Sequence, residues 1–232
     1  ARSNLWRYND TGADLTATPW RETWYYDDAW KAGLAPLGYG QTNIATTNST
    51  YHVSGGGGVR AYNLAPSDQT WVHFRKVNFS GNTGAYGAGA AIGHVIYTHE
   101  DSLVFENTGQ NGGGFYFYDS DVLLQNVTLF NNVATDVSQV GISGDGAGIY
   151  ALDSSFLIRS CRFTDNASDG FGGGLFVEGY GLHPDDDMDQ TVRNCLLNGN
   201  TSRFGGGGIS ANSAFVNVYN CTIAENITNG LY

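Results

Sequence analysis

The chain has 232 residues, a net charge of −11, 33 glycines and 11 lysines plus arginines. That length suits one elongated domain with an N-terminal extension; the charge argues against nucleic-acid and anionic-membrane partners, and no apolar run reaches membrane-spanning length. Three cysteines cannot build a disulfide framework, and none stands in a C-x-x-C pair of the kind that marks a zinc site.

Residues 1–54 read as an aromatic-rich extension, cap and linker. The chain opens at Ala1 without a signal peptide, as a processed form would. Trp6, Tyr8, Trp20, Trp24, Tyr25, Tyr26, Trp30 and Tyr39 crowd the first 40 positions. Read from the residues, this segment is an aromatic plug that covers a strand edge. Its text, Trp6-Arg-Tyr8, Trp20 and Tyr26-Asp-Asp-Ala-Trp30, also resembles the opening of galactose-binding-like β-sandwich domains of bacterial surface proteins, which implies sugar binding. Gln41–Ser54, rich in Thr, Asn and Ser, reads as the linker.

From residue 55 onward one unit recurs. A glycine cluster opens it, apolar alternation follows, and an asparagine closes it. Eighteen residues separate Gly89 from Asn107, Gly114 from Asn132, Gly148 from Asn166 and Gly208 from Asn226. Gly58 to Asn82 spans 24, and Gly174 to Asn200 spans 26, the same unit with insertions. A period of about 25 residues fits one coil of a parallel β-helix, three short strands joined by turns. The fold expected is therefore all-β, a right-handed parallel β-helix of about six coils over residues 55–232, divided near 86, 111, 145, 171 and 204. Thr135–Gly144 and Tyr180–Asp187 are insertions and read as surface loops.

Period-two alternation separates inside from outside. Val59, Ala90, Phe115, Ile149, Leu175 and Ile209 fall in one inward column; Phe74, His99, Leu124, Ile158, Val192 and Val218 in a second; Phe79, Val104, Leu129, Phe163, Leu197 and Ile223 in a third. A fourth holds Val72, Tyr97, Val122, Phe156 and Val216. Cys161, Cys195 and Cys221 share one further inward column and read as small buried hydrophobes. Asn82, Asn107, Asn132, Asn166, Asn200 and Asn226 read as a corner ladder whose amides bond one another from coil to coil. The glycines are expected at corners whose φ other residues adopt at a cost.

The texts Gly172-Gly-Gly-Leu175, Gly205-Gly-Gly-Gly-Ile209, Phe79-Ser-Gly-Asn82 and Phe163-Thr-Asp-Asn166 resemble the repeats of the chlamydial polymorphic outer-membrane proteins and related bacterial surface β-helices. The resemblance covers about residues 55–232. It implies an extracellular or cell-surface passenger with adhesive or structural roles.

Four features are candidates for function. Tyr116, Tyr150 and Phe176 form an outward aromatic column, either a strip that stacks sugar rings or an interface, or else a patch covered by the protein itself. His94, Asp119 and Asp153 form a polar corner column; carboxylates one coil apart suit acid–base work, and Asp also closes turns through its own backbone. Asp185, Asp186, Asp187 and Asp189 offer oxygen ligands to Ca²⁺, but their spacing matches no calcium motif and the plainer reading is a solvated acidic loop. Asn48, Asn78, Asn126 and Asn220 are outward N-x-S/T acceptors for glycans.

The last text, Asn226-Ile-Thr-Asn-Gly230-Leu-Tyr232, stops where the next glycine corner is due. Either the chain continues in a longer protein or another molecule covers that end, and head-to-tail stacking of copies makes a filament. The function expected is a non-catalytic extracellular or cell-surface structural or adhesive protein without a required cofactor. Its partners would be copies of itself or a surface polysaccharide. The alternatives are a polysaccharide lyase or hydrolase and a carbohydrate-binding module.

Overall fold

The structure is a computed structural model; it describes residues 5–8, 31–34, 56–63, 70–136, 144–179 and 189–229, the first two segments as backbone only. Two compact units divide the chain, Ala1–Gln41 and Thr42–Tyr232. In the first, Leu5–Tyr8 pairs antiparallel with Lys31–Leu34.

Every regular element among the described residues is a strand, and all pairing in the second unit is parallel. Three sheets account for it. The first stacks Val59–Tyr62, Ala90–Gly93, Phe115–Tyr118, Ile149–Leu152, Leu175–Glu178 and Ile209–Asn212, in chain order. The second contains Ile96–Phe105 and Asp121–Phe130 as continuous strands. Its other repeats contribute two shorter pieces each, such as Ser155–Arg159 and Arg162–Thr164. The third is narrow: Thr108–Gly109, Val133–Ala134, Ala167–Ser168, Thr201–Ser202 and Ile227–Thr228. Each repeat thus visits the sheets in the same order and lies beside its neighbours in sequence.

Register follows the spacing of the sequence. Val59 lies beside Ala90, Ala90 beside Phe115, Phe115 beside Ile149, Ile149 beside Leu175 and Leu175 beside Ile209. Phe79, Val104, Leu129, Phe163, Leu197 and Ile223 align in the same way. The inward columns merge into one core that runs from Phe79 to Leu197. Gln190 breaks the fourth column by standing beside Phe156. It is buried, its Nε2 donates to the Ser154 carbonyl (3.0 Å), and its Oε1 has no partner among the described residues.

Two kinds of glycine make the corner. Gly56, Gly87, Gly112, Gly146, Gly172 and Gly206 have φ between +55° and +73°, the left-handed region. The last glycine of each cluster is needed for a different reason from the one expected. A Cβ on Gly148 would lie 2.3 Å from the Gly174 carbonyl oxygen, and one on Gly114 would lie 2.5 Å from that of Gly148. Here close approach of the neighbouring backbone, and not φ, excludes a side chain.

The six asparagines stand in one row. Asn82, Asn107, Asn132, Asn166 and Asn200 each donate Nδ2–H to Oδ1 of the next, at 2.8 to 2.9 Å. The backbone N–H of each donates to the same oxygen. The second Nδ2 hydrogen goes back to a carbonyl of the preceding repeat, as from Asn166 to Leu129 (3.0 Å). Every buried amide atom in the middle of the row is therefore used. A shorter serine row does similar work: Val95 N–H donates to Ser120 Oγ, and Ser120 N–H to Ser154 Oγ, at 3.2 Å each.

The cysteines replace serine in such a role. Ser102 Oγ accepts from Val77 N–H (3.0 Å) and donates to the Glu100 carbonyl (2.6 Å). Further along the same column, Cys195 Sγ accepts from Cys161 N–H (3.4 Å), and Cys221 Sγ from Cys195 N–H (3.4 Å). All three are unbridged, Cys161 and Cys195 buried and Cys221 half-buried. Burial pushes the Cys161 thiol well above its usual range.

Candidate functional site

The outer face of the first sheet has two columns, because alternate residues of each strand point away from the core. One runs Arg60, Ala91, Tyr116, Tyr150, Phe176, Ser210; the other runs Tyr62, Gly93, Tyr118, Leu152, Glu178, Asn212. From Tyr116 to Phe176 the first column is a stack of rings. Tyr116 and Tyr150 lie parallel at 5.1 Å, and Tyr150 and Phe176 are 5.2 Å apart.

Two of these three rings are covered by the protein itself. Tyr150 is 6% exposed and Phe176 4%, and with Leu152 they form a second small core. Phe171 stacks on Phe176 at 5.9 Å, and the Tyr150 hydroxyl donates to Glu178. Burial and the Glu178 carboxylate both push the Tyr150 hydroxyl far above its ordinary range. Only Tyr116 remains half-exposed, so a flat sugar platform over all three rings is excluded.

The accessible part of this face lies before Tyr116. There the columns contain Ala91 and Gly93, flanked by Arg60 and Tyr62 on one side and Tyr116 and Tyr118 on the other. The small side chains leave a cleft of about 240 Å³, bordered also by Tyr86 and the Ile92 strand. The Tyr62 ring lies across Gly93: a Cβ there would sit 2.4 Å from the ring. Arg60 places its guanidinium carbon 5.5 Å from the Tyr62 ring centre.

The polar corner adjoins this cleft. His94, Asp119 and Asp153 occupy the left-handed region, with φ of 54°, 44° and 46°. Backbone geometry thus accounts for the two Asp and, with them, His94. The structure also joins two of the three. His94 Nδ1 lies 2.8 Å from Asp119 Oδ2, and His94 Nε2 lies 3.0 Å from the Tyr62 hydroxyl. With Nδ1–H donating to the carboxylate, Nε2 accepts a hydrogen bond from the Tyr62 hydroxyl. His94 also meets the Tyr62 and Tyr118 rings edge-on, at 5.0 Å each. Tyr62, His94 and Asp119 come from three successive repeats, and the bonds tie those repeats together outside the core.

Asp185, Asp186 and Asp187 lie outside the described residues. Asp189 is exposed, and its Oδ1 accepts from Thr191 Oγ1 (2.5 Å). Among the described residues no group of three His, Cys, Asp or Glu is placed to hold a metal ion. Asn48 also lies outside them. Asn78, Asn126 and Asn220 are exposed. Asn78 Oδ1 accepts from Leu103 N–H (2.9 Å), and Asn126 Nδ2 donates to Asp101 (2.9 Å). Asn126 and Asn220 occupy a left-handed corner shared with Lys76, Asp101, Ser160 and Asn194, which favours Asn whether or not a glycan is attached. The Asn126 amide, followed by Arg75, holds the Asp101 carboxyl below its usual range.

Sequence reasoning passed over Arg60, Tyr62, Tyr86, Tyr118 and Glu178. The signal was present: carried back two repeats, the aromatic column meets alanine and then arginine, and its neighbour column reads Tyr, Gly, Tyr. Comparison of the chain with protein-family models, with curated proteins and with solved structures found no match. Among the described residues no helix is long and apolar enough to cross a membrane.

Proposed function

We propose that residues 55–232 form a right-handed parallel β-helix, and that the protein works outside the cell or at its surface as a non-catalytic adhesive scaffold for a polysaccharide. The parallel register, the asparagine row and the glycine close contacts support the architecture. The observation that carries the adhesive reading is the preset aromatic cleft on the outer face of the first sheet. Its aromatic walls and small number of polar groups are the usual make-up of a binding site. The resemblance to surface-protein repeats points to the same compartment. The test is retention of the full chain on polysaccharide-coated beads. Retention without release of shortened or unsaturated sugars is expected; passage through every polysaccharide, neutral and acidic, refutes the adhesive reading.

A second reading is favoured by the Tyr62–His94–Asp119 chain, since a base held by a carboxylate is also how acid–base catalysts are arranged. On that reading the protein is a polysaccharide lyase or hydrolase. It requires turnover that His94→Gln abolishes, and a wild-type chain that leaves polymer length unchanged ends it.

A further inference from the structure

The cleft has a sign, a size and a fixed shape, and together these identify a ligand class. We infer that it binds one carboxylated sugar ring, a uronic-acid residue, with Arg60 on the carboxylate and Tyr62, Tyr116 and Tyr118 around the ring. This rests on the adhesive reading and narrows its ligand.

Charge comes first. The whole chain carries −11, yet Arg60 is the charged side chain among those lining the cleft. It is exposed at the rim, so it reaches a ligand without first breaking into the core. A guanidinium recognises a planar carboxylate through two parallel N–H donors, a geometry that no neutral sugar satisfies.

Size comes second. About 240 Å³ falls below the roughly 300–1,000 Å³ of sites that enclose drug-sized molecules. One ring fits; an extended oligosaccharide would contact the cleft through a single residue. The walls are tyrosines, whose faces take the C–H side of a sugar while their hydroxyl tips serve its hydroxyls. A purely aromatic acid would find the face but leave the polar tips unused.

Rigidity comes third. Tyr62 is held over Gly93, its hydroxyl is bonded to His94, and His94 is held in turn by Asp119. Walls fixed before the ligand arrives lose little side-chain freedom on binding. The close contact of Tyr62 with Gly93 also explains glycine there, where the strand geometry alone would accept any residue.

The experiment is a titration of the full chain with galacturonic and glucuronic acid disaccharides, with the matching neutral disaccharides, and with benzoate, read by calorimetry and ligand-observed NMR. Uronate binding is expected, with the neutral sugars and benzoate weaker by about tenfold or more, the difference expected of one charge-assisted contact. Arg60→Gln should weaken the uronates by about tenfold and leave the neutral sugars as they were. Ala91→Tyr continues the ring column into the cleft and should abolish binding of all sugars with the circular dichroism spectrum unchanged. Neutral sugars or benzoate binding as tightly as the uronates would overturn the assignment, as would an Arg60→Gln protein with wild-type affinity. Absence of uronate binding overturns it as well. Retention on polysaccharide beads in that case leaves the adhesive reading standing with another site, whereas loss of both removes the two together.

Discussion

His99 is a buried histidine whose titration should be visible in the stability of the whole unit. It is fully buried among Phe74, Phe79, Tyr97 and Phe115, with ring centres 5.0 to 6.0 Å away. Its Nδ1 lies 2.8 Å from the Tyr97 hydroxyl and its Nε2 lies 3.1 Å from the Val77 carbonyl oxygen. Burial pushes the Tyr97 hydroxyl well above its usual range, so that group keeps its proton and donates it to Nδ1. The ring is then neutral, with its own hydrogen on Nε2. Burial, aided by the charge of His73 and partly opposed by the Val77 bond, lowers the His99 pKa from 6.5 to about 4. The unfolded chain therefore binds a proton between about pH 6.5 and 4 that the folded chain refuses. Stability is lost as pH falls through that window and loses nothing more from this group below it. At about 1.4 kcal/mol per pH unit the loss amounts to roughly 3 kcal/mol.

Urea unfolding of the wild type and of His99→Phe, followed by circular dichroism at pH 7, 5.5 and 4, isolates this contribution. Carboxylates titrate in both proteins and cancel in the difference. At pH 7 the variant should be weaker by about 1–3 kcal/mol, because the Tyr97 hydroxyl and Val77 carbonyl lose their partner. By pH 4 the gap should have closed by roughly 3 kcal/mol, as the wild type alone bears the cost of the buried proton. Parallel stability curves for the two proteins would refute the account.

Further outcomes follow from the interior. Asn166→Ala removes the acceptor of two Asn132 hydrogens and the donor to Leu129, and should cost roughly 3 kcal/mol in urea unfolding; a loss below about 1 kcal/mol would mean the row is incidental. Asn226→Ala, at a half-buried place in the same row, should cost less. Gly148→Ala drives a Cβ into the Gly174 carbonyl, so the two repeats must separate locally; an unchanged melting temperature would contradict the close approach. Cys161→Ser should be nearly neutral, since Ser102 already fills the equivalent place, and an alkylating reagent should label native Cys221 well before Cys161 and Cys195; equal labelling rates would refute the burial order.

Much of the interior was legible because it depends only on spacing along the chain. The 18 residues from the last glycine to the asparagine recur in four repeats, and columns such as Phe79, Val104, Leu129 and Phe163 are the ones the strands pair. Insertions shifted Gly174 and Asn200 apart without disturbing either column, since the extra residues fall between strands. The fourth column was left blank in the repeat whose insertion ends there, and Gln190 fills that place beside Phe156. The reading misjudged the last glycines, since spacing shows that glycine recurs but not whether φ or a neighbouring carbonyl demands it.

The outer face was less legible for the same physical reason. Alternation in the sequence by itself determined that Tyr116, Tyr150 and Phe176 point away from the core, because side chains alternate by backbone geometry alone. Whether an outward ring is open to solvent depends on side chains beyond its own strand, and only the tertiary structure decided that Phe171 stacks on Phe176 and that Glu178, 28 residues on, accepts from Tyr150. The same holds for the cleft. Arg60, Ala91 and Tyr116 are 31 and 25 positions apart and become neighbours only through parallel pairing, and the bonds from Tyr62 to His94 to Asp119 exist because a strand end and the left-handed corners of the next two repeats lie side by side.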